Sequence, residues 1–126
     1  MADAIQVGGA KLFRLAEMEP EKMSPTLSRQ FCSGEQVMLA RILFKQGCVV
    51  PQHQHSNEQI SFVLSGALEF VIGGVTQVVR AGEMLVIPGG VPHAVLALED
   101  TENLDAFAPP RQDWIDNDDS YLRGKG

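Results

Sequence analysis

The segment GCVVPQHQHSNEQISFVLSG, residues 47–66, begins and ends with glycine and holds two of the chain's three histidines. Side chains two positions apart in a strand point to the same face, so His53 and His55 can direct two imidazoles to one point. Gln59 can join them if the intervening residues make a turn. The segment therefore predicts a group of ligand atoms on one side of a strand.

The third histidine ends a second glycine-bounded segment, GEMLVIPGGVPH, at residues 82–93. Its proline and glycine residues favour a tight bend, which can aim His93 back toward the other two histidines. Neutral imidazoles suit transition metals, whereas Mg²⁺ and Ca²⁺ prefer oxygen ligands. We therefore expect one divalent transition metal ion per chain (zinc, nickel, iron, manganese or copper), bound by His53, His55, His93 and a fourth ligand that is either Gln59 or Glu58. Glu58 is the alternative to Gln59, because neighbouring residues of a strand face opposite sides.

Short strand patterns separated by glycine turns surround these segments. Gly73 and Gly74 lie between two strand-like runs, residues 68–72 and 75–80, which is typical of a two-residue hairpin. Residues 36–45 have apolar side chains on both faces, which predicts a strand covered on both sides. Many short strands without a convincing helix favour an all-β barrel or sandwich.

The length of 126 residues fits one domain. We expect a barrel core at about 27–109, an N-terminal arm at 1–26 with one strand near residues 11–15, and a C-terminal tail at 110–126. The tail is expected to form a short helix or to lie on the surface. Cys32 and Cys48 have no metal-like spacing and are expected to be free thiols.

Composition narrows the classes of partner. Sixteen acidic and ten Lys or Arg residues give a net charge of −6, and no run of basic residues is present. Such a chain is a poor nucleic-acid binder, because binding to phosphates requires a basic patch. The first residues lack a signal-peptide pattern, and no apolar run approaches the ~20 residues that span a bilayer. We expect a cytoplasmic protein that binds neither nucleic acid nor membrane.

A second group of candidate residues lies near the end of the predicted core. Asp105 and Phe107 share a face of a predicted strand, and two prolines then stiffen the turn that delivers Arg111. If that face looks into the barrel, an acid, an aromatic ring and a guanidinium converge near the metal. Otherwise Asp105 is a strand-end polar residue, Phe107 belongs to the core and Arg111 forms a surface ion pair. Arg41, in mid-strand, is the alternative cation unless it pairs with a surface acid.

The two glycine-bounded segments resemble the two motifs of the cupin superfamily, G-x5-H-x-H-x3,4-E-x6-G and G-x5-P-x-G-x2-H-x3-N. The positions in register are Gly47, His53, His55 and Gly66 in the first motif and Gly82, Pro88, Gly90 and His93 in the second. The resemblance implies an all-β, single-domain cupin, which is a double-stranded β-helix or jelly-roll barrel, and a homodimer. Gln59 stands at the glutamate position and Ala97 at the asparagine position.

A glutamine at position 59 changes the charge of the predicted site. Three neutral imidazoles and a neutral amide leave the full +2 charge of the ion uncompensated by the protein. We therefore expect the site to attract an anionic substrate more strongly than a site with a glutamate ligand would.

A narrower resemblance covers residues 46–123. The sequence HSNEQI at 55–60 and the pattern D-x-F-x-P-P-R at 105–111 are similar to KdgF-type cupins, pectin-degradation proteins that linearise unsaturated monouronates. The resemblance implies a metal held by three His and a Gln, with Asp105, Phe107 and Arg111 lining the substrate pocket. It implies conversion of a 4,5-unsaturated monouronate to the linear 5-keto-4-deoxyuronate, in pectin or alginate sugar breakdown.

The chemistry assigns roles to two of these residues. Asp105 is the candidate for proton transfer, and Arg111 is the candidate for a two-point contact with the carboxylate of a small sugar acid. Two alternatives stay open: another metal-dependent cupin enzyme, such as a dioxygenase or a sugar isomerase, and a non-catalytic module that binds a small acid.

Overall fold

The computed structural model describes residues 4–123, so the outermost ends of the predicted arm and tail, residues 1–3 and 124–126, lie outside the described residues. In this range the chain forms antiparallel strands, a 3₁₀ turn (Leu15–Glu17) and one short helix, α1 (Gln112–Ile115). The strands are β1 (Ile5–Val7), β2 (Ala10–Leu12), β3 (Glu21–Ser24), β4 (Leu27–Ser33), β5 (Met38–Phe44), β6 (Val49–His53), β7 (Glu58–Ser65), β8 (Ala67–Ile72), β9 (Val75–Arg80), β10 (Met84–Ile87), β11 (His93–Ala97) and β12 (Thr101–Ala108).

Two sheets form the barrel. The larger has six strands in the order β10-β7-β12-β5-β4-β3, and the smaller has four in the order β6-β11-β8-β9. Along most strands buried and exposed residues alternate, so the inward-facing apolar side chains of both sheets form one core. The prediction of an all-β jelly-roll barrel is confirmed. No helix in residues 4–123 is long and apolar enough to cross a membrane.

The local predictions differ in accuracy. The hairpin at Gly73 and Gly74 is confirmed, because β8 and β9 pair from Ala67 opposite Arg80 to Ile72 opposite Val75. Both cysteines are free thiols, as expected. In the N-terminal arm, however, the predicted strand at 11–15 ends at residue 12, and the short strands β1 and β3 were not foreseen. Strands of three or four residues carry too little alternation to be recognised.

The outer surface of the six-stranded sheet is unexpectedly apolar and open. Leu39 on β5 is 49% exposed, Ile60 on β7 is 38% exposed, and Met84 and Val86 on β10 are 68% and 55% exposed. The prediction that residues 36–45 are covered on both sides is therefore wrong for the single chain. We call these four residues the outer apolar face.

The glycine that ends the first motif is required by a close backbone approach. Gly66 joins β7 to β8 with a φ of +91°, and a Cβ there would lie 2.4 Å from the carbonyl oxygen of Asp100 and 2.3 Å from Oγ1 of Thr101. Gly82, which begins the second motif, has a similar φ of +86° but open space around it. The two positions therefore share the backbone strain and differ in the clash.

This difference predicts unequal stability losses. Gly82→Ala should cost about 1 kcal/mol, because only the left-handed backbone is penalised. Gly66→Ala should cost roughly 2–4 kcal/mol, because the methyl group must also displace backbone of β12. Guanidinium unfolding monitored by circular dichroism measures both losses. Equal losses for the two variants would contradict the close-approach explanation.

Candidate functional site

Three histidine side chains converge inside the barrel. His53 on β6 and His93 on β11 are register partners in the four-stranded sheet, and His55 follows β6 in the next loop. One ring nitrogen from each histidine lies within 4.8 Å of the others, and residues 4–123 contain no other cluster of His, Cys, Asp or Glu with this geometry. The two segments singled out in the sequence therefore meet at one point.

Backbone carbonyl groups orient each ring. Nδ1 of His53 lies 2.9 Å from the oxygen of Pro51, and Nδ1 of His93 lies 2.9 Å from the oxygen of Val91. Nδ1 of His55 is held in the same way by the oxygen of Asn57, at 3.1 Å. A carbonyl oxygen can only accept a hydrogen bond, so each Nδ1 donates. Each Nε2 of a neutral ring is therefore left with a lone pair.

Burial keeps the three rings neutral. Removal from water lowers the pKa of His53 and of His55 to about 4. The same cause lowers the pKa of His93, and the positive charge of Arg111 lowers it further. Neutral imidazole is the form that binds metal ions.

Gln59 faces the histidines, and Glu58 is exposed on the other side of β7. The side-chain amide of Gln59 donates to Oγ of Ser61 at 3.0 Å, which turns Oε1 toward Nε2 of His55, 3.1 Å away. Two electron-pair acceptors thus face each other. Strand alternation explains why only Gln59 of the two neighbours enters the barrel.

These donors fit a divalent transition metal ion. Nε2 of His93 is buried without a hydrogen-bond partner, and the His55–Gln59 contact has no proton to share. A cation would satisfy both sets of lone pairs. Nitrogen donors from three imidazoles with one amide oxygen match the preference of borderline metals rather than Mg²⁺ or Ca²⁺.

Asp105 lies beside this cluster and is held through one oxygen. Its Oδ1 accepts hydrogen bonds from Oγ of Ser61 at 2.6 Å and from Nδ2 of Asn103 at 2.8 Å, with Nε2 of Gln59 at 3.5 Å. Within residues 4–123, Oδ2 has no hydrogen-bond partner. Burial raises the pKa of Asp105, and the hydrogen bonds to Ser61 and Asn103 oppose that rise. The result is a buried carboxyl group with one free oxygen.

A small cavity joins the histidine cluster to the C-terminal tail. Its volume is about 50 Å³, enough for a few water molecules. Its lining residues are Met23, Leu27, Arg29, Ile42, Phe44, Val50, His53, Gln59, His93, Val95, Asp105, Phe107, Arg111, Trp114, Tyr121 and Leu122. The predicted acid, aromatic ring and guanidinium therefore border the same space as three of the predicted metal ligands.

Comparison with known proteins identifies the family. A family model for the cupin domain matches residues 40–107, more than half of the chain. The chain is a cupin. It resembles the pectin degradation protein KdgF of Dickeya dadantii, with 26% identity over 98 residues that cover 75% of this chain and 89% of that protein. An uncharacterised protein of Streptomyces coelicolor is 29% identical over 102 residues, covering 79% of this chain and 97% of that protein.

Solved structures of other cupins have a similar fold. The structure of KdgF from a Halomonas species superposes on this cupin with a TM-score of 0.79 and 29% identity, covering 83% of this chain and 98% of that chain. A predicted oxalate decarboxylase from Thermotoga maritima, with a TM-score of 0.70 and 20% identity over 79% of this chain and 99% of that chain, shares the fold.

Arg111 borders the cavity of this cupin, but one of the two double-donor edges of its guanidinium is occupied. Nε and Nη2 donate to the two carboxylate oxygens of Asp113, at 2.9 and 2.7 Å, and the guanidinium stacks over Phe107 and Trp114. The two-point contact between Arg111 and a substrate carboxylate stays a prediction, and at this edge it would require displacement of Asp113. Nη1 remains without a hydrogen-bond partner among the described residues.

Arg41, the alternative cation, lies away from the cavity. Its Nε donates to Glu102, and its Nη1 donates to Oε1 of Gln30 at 2.8 Å. All three side chains lie on the outer surface of the six-stranded sheet. Arg41 is therefore the ion-pair partner of an acid, which was the simpler of the two interpretations.

The sequence did not predict that the tail would line the cavity. Trp114 and Asp119 are buried, so the tail does not simply lie on the surface. Arg29 is also buried, and its Nε donates a hydrogen bond to Glu21 at 2.9 Å. Its Nη2 lies 2.5 Å from Oδ2 of Asp119. These two groups form an ion pair, but their angles are not those of a hydrogen bond. Strand alternation could have revealed Arg29, because it lies between the inward-facing Leu27 and Phe31.

Proposed function

We propose that this cupin binds one divalent transition metal ion through His53, His55, His93 and Gln59 and converts 4,5-unsaturated monouronates to linear 5-keto-4-deoxyuronates. The observation that carries the proposal is Asp105, a buried carboxyl group with a raised pKa and one free oxygen, next to three neutral imidazoles. The similarity to two KdgF proteins, one of them named for pectin degradation, supports pectin or alginate sugars as the source of the substrate.

The residues around the cavity have different roles in the proposed reaction. A bound ion of this kind supplies a Lewis acid for oxygen atoms of a sugar acid. The carbonyl groups that hold each Nδ1 fix the rings in place. Ser61 and Asn103 hold Asp105 by one oxygen, so that its other oxygen is directed away from them. Arg111 provides a positive charge that favours an anion.

Linearisation requires one proton to move from oxygen to carbon. The anomeric hydroxyl loses its proton, the ring carbon–oxygen bond breaks, and a carbon of the former double bond gains a proton. A single group that takes and returns a proton meets both needs, and its pKa must lie near the working pH. Burial shifts the pKa of Asp105 upward, in the required direction.

We also propose that the outer apolar face pairs with a second copy of the chain. Its four exposed apolar side chains lie on adjacent parts of one sheet. An exposed apolar patch of this kind marks an interaction surface. The homodimer and the cytoplasmic location expected from the sequence stay predictions.

The metal ligands are tested by replacing His53 and His55 together. Metal analysis of the parent protein, purified without an affinity tag, should give one divalent transition metal ion per chain, whereas His53→Ala/His55→Ala should contain none. Added metal should stabilise the parent by about 2.7 kcal/mol at a hundredfold excess over Kd, because it binds only the folded state. The control is Gln52→Ala/Gln54→Ala, which changes the exposed neighbours and should match the parent. Undiminished metal content in the histidine variant would contradict the assignment.

The proton-transfer role is tested by Asp105→Asn. The amide keeps the shape but cannot exchange a proton in the same way, so kcat on an unsaturated monouronate should fall roughly a hundredfold or more. Metal content should be unchanged. Asp118→Asn, the same change at an exposed aspartate, is the matched control. Spontaneous ring opening must be subtracted in every assay.

Two results would overturn the proposal. An Asp105→Asn variant as fast as the parent would remove Asp105 from the reaction. A parent protein that gives no acceleration over the spontaneous rate would refute uronate linearisation and favour another cupin enzyme or a module that binds a small acid.

A further inference from the structure

We propose that two donors from different residues, Nη1 of Arg111 and the hydroxyl group of Tyr121, together bind the carboxylate of the ligand. This inference rests on the proposed function, because it concerns an acid bound in the same cavity. By binding the carboxylate, Tyr121 determines the specificity of the site for acids. The sequence motifs do not point to Tyr121.

The first step is the arrangement of Arg111. A guanidinium usually binds a carboxylate through two parallel N–H groups. Here Asp113 occupies the Nε/Nη2 edge, with contacts of 2.9 and 2.7 Å, and the second proton of Nη2 is donated to Tyr121, so a ligand carboxylate is left with Nη1. A single donor from Arg111 would fix only one carboxylate oxygen. A second donor is needed to orient the acid.

Tyr121 has such a donor. Its oxygen accepts hydrogen bonds from Nη2 of Arg111 and from Nε1 of Trp114, the latter at 3.1 Å. Because the oxygen accepts in both contacts, the phenolic proton must point elsewhere. No acceptor for it lies among residues 4–123. Tyr121 borders the cavity, and its ring centroid is 4.6 Å from that of His53. A cavity occupant is therefore the available acceptor.

The tail holds Tyr121 in this place. Two positions earlier, Asp119 is fully buried and pairs with Arg29 at 2.5 Å and with Arg123 at 3.0 Å. Trp114, which donates to Tyr121, packs against Phe107 with ring centroids 5.1 Å apart. A donor whose position is fixed on both sides loses little freedom when it binds a ligand.

The test compares Tyr121→Phe with the parent, both loaded with metal. Hydrogen bonds to charged groups contribute enough that their loss should weaken binding of galacturonate, a saturated and unreactive monouronate, about tenfold or more. On an unsaturated monouronate, KM should rise by a similar factor with kcat nearly unchanged, because the carboxylate is held equally in ground and transition states. Ser120→Ala, at the exposed neighbour, is the matched control. Isothermal titration calorimetry measures the affinities.

The outcomes separate this inference from the proposed function. Equal galacturonate affinity and equal KM in Tyr121→Phe and the parent would overturn the role of Tyr121, even if the parent linearises uronates. A fall in kcat and melting temperature without a change in affinity would also overturn it, because it would indicate a structural role only. A parent that turns over unsaturated uronates but binds galacturonate no better than galactose would refute the carboxylate site.

Discussion

The site depends on electron pairs that face one another inside a barrel and cannot satisfy each other. Nε2 of His55 lies 3.1 Å from Oε1 of Gln59, and Nε2 of His93 has no partner. Burial holds the imidazole pKa values low, so protonation does not relieve the arrangement at neutral pH. A buried acceptor without a partner costs about 1–3 kcal/mol. Strand register fixes His53 and His93, and the loop after β6 holds His55. A bound cation would turn this cost into stabilisation.

The second feature of the site is the charge of the groups around the histidine cluster. With three imidazoles and an amide as donors, no ligand neutralises a divalent ion, and Arg111 adds further positive charge. Among residues 4–123, Asp105 is the one acid that borders the cavity. It is held by neutral donors, Ser61, Asn103 and Gln59, rather than by a direct ion pair. The cavity therefore favours an anion while it keeps a carboxyl group that can exchange a proton.

Period-two spacing and glycine-bounded motifs were sufficient to predict the barrel and the convergence of the three histidines. The barrel and the histidine cluster could both be predicted because they depend on residues that are close in the chain or that share a face of a strand. The same alternation places Asp105 and Phe107 on the inner face of β12. The ion pair between Arg111 and Asp113 was not foreseen, although the two residues are only two positions apart, because the pattern that drew attention to Arg111 ends at that residue. Arg29, Asp119 and Tyr121 are brought together by packing of the tail on the barrel, over separations of roughly ninety residues in the chain. No local pattern records such contacts.

We propose that His53, His55, His93 and Gln59 surround one metal ion, and the other assignments at the site depend on that ion. The most direct measurement is anomalous diffraction from crystals of the metal-loaded protein, collected on both sides of the absorption edge of the metal found by elemental analysis. We expect one strong peak per chain, within bonding distance of Nε2 of all three histidines and of Oε1 of Gln59. A peak bonded to Glu58, or no peak among the histidines of fully loaded protein, would contradict it.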